Sequence, residues 1–331
     1  MNPKELEEKE AAMREKIRMC AEENSLSGED IAPIYDGIYS AEKYLNSSCR
    51  ILWVLKEPYD DFDETGKPVG GGWSFADGFE HPLNFAYGKT GSMVTYVSYG
   101  LLHNYLWNEI DSVSKNPEVA NCVQEIAYIN LSKMPAYTTT SYSELWRKLD
   151  NWIEIVLEQI RIFEPQVVIF GGTFNYLRQN LIDDSLGIAP EVEGFAKCYD
   201  LGNCLYIDTC HPGARLSGED QEKYANSIIE SVRKWKAKPK HIVSSIEKYT
   251  KIGSIAQFLL DNQMKMTGRT LADLFNTNEI WTSYGSEYVG GRGTYRLIRN
   301  AYHFYDDQGD ERMAKMIAEA FIMPNGYYAW E

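Results

Sequence analysis

Three residues of different chemistry stand just after three short apolar runs. Glu57 follows "RILWVL" (50–55), Asn130 closes "EIAYIN" (125–130), and His211 follows "NCLYID" (203–208). A fourth run, "QVVIFG" (166–171), leads into the glycine turn "GGTFN". Runs of this length, rich in β-branched and aromatic residues, read as strands. In an open parallel sheet, ligands bind beyond the carboxyl ends of the strands. A carboxylate, an amide, a glycine turn and an imidazole are therefore expected to converge on one edge. That set matches the needs of N-glycosidic bond cleavage, in which the sugar becomes cationic and the base leaves as an anion. Glu57 can stabilise the cation and orient or deprotonate water. Asn130 offers a donor and an acceptor to the edge of an extruded base. His211 can donate a hydrogen bond where negative charge develops on the base. The plain alternatives are structural: a loop acid before a proline, an amide bonding its own backbone, and an imidazole capping a strand end.

The elements that must position these residues follow from the pattern. The chain of 331 residues, 44% hydrophobic, is long enough for an α/β domain of about 200 residues and a smaller second domain. Between the strand candidates, residues 96–110 and 143–163 space their apolar positions three and four apart, as in Leu145, Leu149, Trp152, Val156 and Ile160. A further helix is expected over 218–236. The expected architecture is α/β: a mostly parallel four-stranded central sheet flanked by helices. Residues 1–30 read as a charged, solvated helical arm with Glu5/Lys9 and Glu10/Arg14 pairs, and residues 31–240 as the α/β domain. The basic, proline-containing segment 236–241 reads as a linker. Residues 241–331 read as a small helical C-terminal module with helices at 244–260, 268–276, 293–305 and 309–321. Its segment 254–276 scans as a helix-turn-helix, although plain packing of two short helices reads as well.

The order of the motifs resembles the uracil-DNA glycosylase-like superfamily. The resemblance rests on "VLKEPY" (54–59), "YINLSKMP" (128–135), "EPQVVIFGG" (164–172) and "YIDTCHPGARLS" (206–217), and it spans about residues 48 to 236. It implies that Glu57 is the water-activating acid, Tyr59 the residue limiting pocket size, Asn130 the base-reading amide and His211 the donor to the base oxygen. It also implies that 213–217 enters the minor groove, with Arg215 and Leu216 as wedge candidates. The segment 60–92 is longer and richer in glycine and aromatics than in typical relatives. Trp73, Phe75 and Phe85 are candidates for the ring stacking on a flipped base. Asp60, Asp61 and Asp208 read as structural or solvated. Met134 stands where iron-sulfur relatives have a cysteine, and the six cysteines lack ligand spacing, so no metal or other cofactor is expected.

A net charge of −15 excludes a generally basic nucleic-acid surface. DNA contact is expected to be local, through Lys56, Lys133, Arg215 and the stretch from Arg233 to Lys240. No apolar run approaches the ~20 residues of a membrane helix, and the N-terminus is charged, so a cytoplasmic location without membrane contact is expected. The expectation for activity is a monofunctional DNA glycosylase acting on a modified or bulky pyrimidine, such as a base of phage DNA. The alternatives are ordinary uracil repair, an N-glycosidase on free nucleotides, and a non-catalytic nucleotide- or partner-binding module.

Overall fold

The computed structural model describes residues 1–28, 31–59, 62–67, 69–136, 142–182, 189–201, 204–237, 245–278, 280–282, 287–289 and 292–322. Asp60, Asp61 and residues 238–241 of the expected linker lie outside them. The chain divides into two compact units. One comprises Met1–Leu181, Pro190–Tyr199 and Cys204–Ala237; the other comprises Ile182–Ala189, Asp200–Asn203 and Lys238–Glu331.

The first unit is built on a sheet of seven strands, not four. β1 (Gly37–Ile38), β2 (Ile51–Leu55), β3 (Ala127–Asn130), β4 (Val167–Gly171), β5 (Glu191–Glu193), β6 (Ala196–Asp200) and β7 (Leu205–Thr209) lie in the order β1-β3-β2-β4-β7-β6-β5. The four strands expected from sequence are the central ones, β3-β2-β4-β7, and they pair in parallel. All five residues of β2 and of β4 are buried, as in a parallel sheet covered on both faces. β1 joins antiparallel to β3, and β5 antiparallel to β6. Three strands lie outside the expected four: β1 and β5, whose two or three residues cannot display an alternation, and β6, whose five residues AKCYD mix charged with apolar positions. On one face Trp53, Tyr128, Ile169 and Ile207 pack in a single cluster with residues of the helices Lys89–His103 and Gly218–Ala237. The helix Tyr142–Phe163 packs on β3, and the N-terminal helix Pro3–Glu23 packs on that helix.

The N-terminal helix is therefore no solvated arm. Leu6, Met13, Ile17 and Ala21 are buried at helical spacing. Lys9 does bond Glu5 (2.9 Å), but Glu10 turns inward and accepts the Ile38 N–H at 2.9 Å. Burial pushes the Glu10 carboxyl up to about 7, against the pull of that bond.

Backbone bonds beyond the strand ends lace the functional loops together. The Leu131, Ser132 and Ala136 N–H groups donate to Leu55, Lys56 and Pro58 carbonyls at 2.9, 3.0 and 3.1 Å. The Gly172 N–H donates to Thr209 O at 2.7 Å, and Thr173 Oγ1 to Val54 O at 2.7 Å.

The second unit holds helices Ser245–Asp261, Gly268–Thr277, Arg292–Asp307 and Glu311–Ala320. Ile252, Leu259, Leu271, Phe275, Ile298 and Ile317 form its core, and Met266–Thr267 pairs in parallel with Phe321–Ile322. Among the described residues, no helix is long and apolar enough to cross a membrane.

Candidate functional site

A cavity of about 630 Å³ opens at the carboxyl edge of the first unit's sheet. Glu57 from the end of β2, Asn130 from β3 and His211 from the end of β7 line it together, with Lys56, Tyr59, Trp73 and Phe75. Residues separated by more than 150 positions in sequence thus share one wall, because parallel strands deliver their carboxyl ends to the same side.

Asn130 is 2% exposed, and its Nδ2 has no hydrogen-bond partner among the described residues. An unsatisfied buried donor costs about 1–3 kcal/mol, so such an atom calls for an acceptor from a ligand or water. The backbone of the same residue is held at both polar atoms. Its N–H donates to Asp36 Oδ2 at 2.6 Å, and its carbonyl accepts from Lys133 Nζ at 2.6 Å. Lys133 also donates to Asp36 Oδ2 (2.8 Å) and Gln159 Oε1 (2.7 Å), and Gln159 Nε2 donates to Asp36 Oδ1 at 2.8 Å. All three ammonium hydrogens therefore have acceptors. Burial pushes the Lys133 ammonium below its ordinary value, and Asp36 opposes that shift.

His211 is held differently. Its Nδ1 accepts the Gly213 N–H at 3.0 Å. Burial, and then the charges of Lys56 and Lys89, push its pKa down to about 4. The ring is neutral at pH 7, and with Nδ1 accepting, its proton sits on Nε2. The imidazole is thus a neutral donor. Glu57 lies in the β2-to-β3 lacing between Lys56 and Pro58, both of which accept backbone bonds.

The aromatic wall comes from the long segment after Glu57. Residues 70–75 run beside 31–35, with Ala32 N–H to Gly70 O (2.8 Å), Tyr35 N–H to Trp73 O (3.0 Å) and Phe75 N–H to Tyr35 O (2.9 Å). At Gly71 (φ +79°) a Cβ would come within 1.9 Å of Ala32 O, so this glycine permits backbone contact and is no free hinge. Phe75 is buried against Tyr128, ring centroids 4.4 Å apart, and Trp73 meets its edge at 5.5 Å. Phe85 and Tyr128 also line the cavity, while Tyr59 stands half exposed at its rim.

Two expectations need correction. Lys133 is fully buried in its ion pair with Asp36, so its charge is not available to a phosphate. Leu216 packs its side chain partly against the core cluster and is not a free wedge; Arg215 is exposed beside it. Neither Arg215 nor Leu216 lines the cavity. Asp36 and Gln159 were not legible as site residues, since nothing in their spacing links them to Asn130. Among the described residues, no group of three or more His, Cys, Asp or Glu could hold a metal ion. The described cysteines are free thiols. Compared with known proteins, the chain matches no family model and no curated protein.

Proposed function

We propose that the protein is a monofunctional DNA glycosylase that hydrolyses the N-glycosidic bond of a flipped, bulky modified pyrimidine and leaves an abasic site. The observation that carries this reading is the unpartnered Asn130 Nδ2, buried in a cavity shared with Glu57 and His211. In the proposed reaction the Asn130 amide bonds the edge of the base. The His211 Nε2–H donates to the base oxygen as charge develops there, and the neutral ring avoids a third positive charge beside Lys56 and Lys89. Glu57 stabilises the sugar cation and directs water to it. The resemblance of the four motifs to the uracil-DNA glycosylase-like superfamily supports the same assignment, with Tyr59 at the rim where relatives limit pocket size.

Cavity size supports a base larger than uracil. About 630 Å³ falls in the range of about 300–1,000 Å³ that encloses drug-sized ligands. Its wall of Trp73, Phe75, Phe85 and Tyr128 offers aromatic faces rather than a tight polar slot. The net charge of −15 favours a second reading, an N-glycosidase on free nucleotides.

The test is to incubate the protein with DNA carrying uracil or 5-substituted cytosines, sugar-bearing ones included, and to count abasic sites. The expected result is release of a bulky base at least about tenfold faster than uracil, or about 1.4 kcal/mol in transition-state binding. Efficient uracil release with no bulky-base activity would return the protein to ordinary uracil repair. No abasic sites from any DNA would end the reading.

A further inference from the structure

Gly37 lies between two buried carboxylates. Before it in the chain stands Asp36, which takes the Asn130 N–H and the Lys133 ammonium. Over it reaches Glu10 of the N-terminal helix Pro3–Glu23, accepting the Ile38 N–H at 2.9 Å. β1 is an edge strand, paired with β3 through Gly37 and Ile38. An edge strand carries N–H groups that no second strand can accept, and Glu10 serves one of them. Gly37 (φ +147°) permits the approach, because a Cβ there would lie 2.1 Å from Glu10 Oε1 and 3.4 Å from Phe163 Cζ. Unlike Asp36, Glu10 has no ion-pair partner among the described residues. The charges that reach it are Arg14 and Glu7 on its own helix and Asp36 beyond Gly37. Of the other helices packed on its own, Tyr142–Phe163 brings the ring of Phe163, with Glu158 bonded to Lys16. Ala41–Asn46 brings Tyr44, whose hydroxyl donates to Phe163 O at 3.1 Å.

We propose that Glu10 is a positioning residue for Asn130: through the Ile38 N–H it fixes β1, and through β1 the Asp36 carboxylate that holds the Asn130 backbone. No described residue of the N-terminal helix lines the cavity, yet two hydrogen bonds joined by two residues of chain connect that helix to the amide. Burial first, and then the Asp36 charge, raise the Glu10 carboxyl to about 7, so it changes charge near neutral pH. Loss of its proton places a second negative charge across Gly37 from Asp36, and the Asn130 N–H bond to Asp36 feels the change. That Asn130 reads a base rests on the base-excision reading; the link from Glu10 to its backbone does not.

Two variants of the full chain test the link. Glu10→Gln keeps an oxygen for the Ile38 N–H but cannot ionise, and Glu10→Met keeps the length but loses the acceptor. Thermal unfolding establishes that each folds. The Asn130 backbone amide resonance is followed by NMR from about pH 5 to about pH 9. In wild type it is expected to titrate with a midpoint of about 7, and in Glu10→Gln to stay flat. In Glu10→Met, hydrogen exchange at the Asn130 amide should quicken at least about tenfold while amides of β4 and β7 keep their rates. Excision of the base from DNA should fall at least about tenfold in the same variant, and Glu10→Gln should restore both readouts. A midpoint that persists in Glu10→Gln, or its absence from wild type, overturns the proposal. So does exchange that quickens equally throughout the sheet, or excision undiminished in Glu10→Met. Should Glu10→Met not fold, the pH comparison with Glu10→Gln decides alone. If wild type excises no base but its Asn130 amide follows Glu10, the link stands and the glycosylase reading falls. Excision with an Asn130 amide indifferent to Glu10 has the reverse meaning.

Discussion

Asn130 and His211 face one cavity but are secured in opposite ways. The backbone of Asn130 is tied at its N–H and its carbonyl by a buried ion pair, with Asp36 and Lys133 drawn from different segments. His211 stands on a loop, partly exposed, and one local bond from the Gly213 N–H fixes its ring. The first arrangement gives an amide whose place is set when the chain folds. The second gives a donor whose tautomer is set by a bond two residues away, on a turn whose Cys210 and His211 carbonyls accept from Tyr224 Oη (3.1 Å) and the Ala214 N–H (2.8 Å). In both arrangements the group is held before any ligand arrives, one by partners distant in sequence and the other by local ones, which is what electrostatic preorganisation needs.

The strongest way to break this contrast is at the ion pair. Lys133→Met leaves Asp36 buried and uncompensated and should cost about 3–5 kcal/mol in chemical denaturation. The double variant Asp36→Leu/Lys133→Met removes the uncompensated charge but leaves the Asn130 N–H and carbonyl and the Gln159 amide unpaired, so it should regain only part of that stability and still excise base poorly. An unchanged denaturation midpoint for Lys133→Met would show that the pair holds nothing. Next in size, His211→Ala and Glu57→Gln should each lower excision at least about 100-fold, or about 2.7 kcal/mol, with little change in stability. Near wild-type rates in either purified variant would remove that residue from the mechanism.

A smaller effect sharpens the contrast through pH. The folded pKa of His211 is pushed down to about 4, below the ~6.5 of an unfolded histidine. The unfolded chain therefore binds the extra proton first, and stability present above about pH 6.5 is lost as pH falls toward 4. The contribution is on the order of 1 kcal/mol after allowing for the ring's partial exposure. Stability curves of wild type and His211→Asn should diverge in that window; parallel curves would contradict the neutral, desolvated ring. The smallest effect belongs to Arg215, exposed and outside the cavity. Arg215→Glu should leave stability within about 0.5 kcal/mol and lower the salt slope of DNA binding by about one unit. An unchanged slope would place the DNA path elsewhere.

How much was legible follows the range of the forces involved. The central strands announce themselves because five consecutive buried residues, as in "ILWVL", must be apolar whatever lies around them. Parallel pairing then sends Glu57, Asn130 and His211 to one edge without further information. Of the three further strands, β1 and β5 are defined only by their neighbours, as Gly37 and Ile38 count as a strand through pairing with Tyr128 and Ala127, and β6 mixes charged with apolar residues and so shows no clear local pattern. The "GGGWSF" run shows glycines and aromatics, but its pairing with 31–35 has no local signal.

Local pattern is enough to give the order of the strand ends and hence the residue types that meet there, since periodicity and apolar content act over a few residues. Which charges lie inside is fixed by contacts between distant segments. Lys133 reads as a surface cation until Asp36, 97 positions earlier, is folded against it, and Glu10 reads as a helix-surface acid until Ile38 donates to it. The fate of a charge depends on desolvation and on partners distant in sequence, and both exist only once the chain has closed around them.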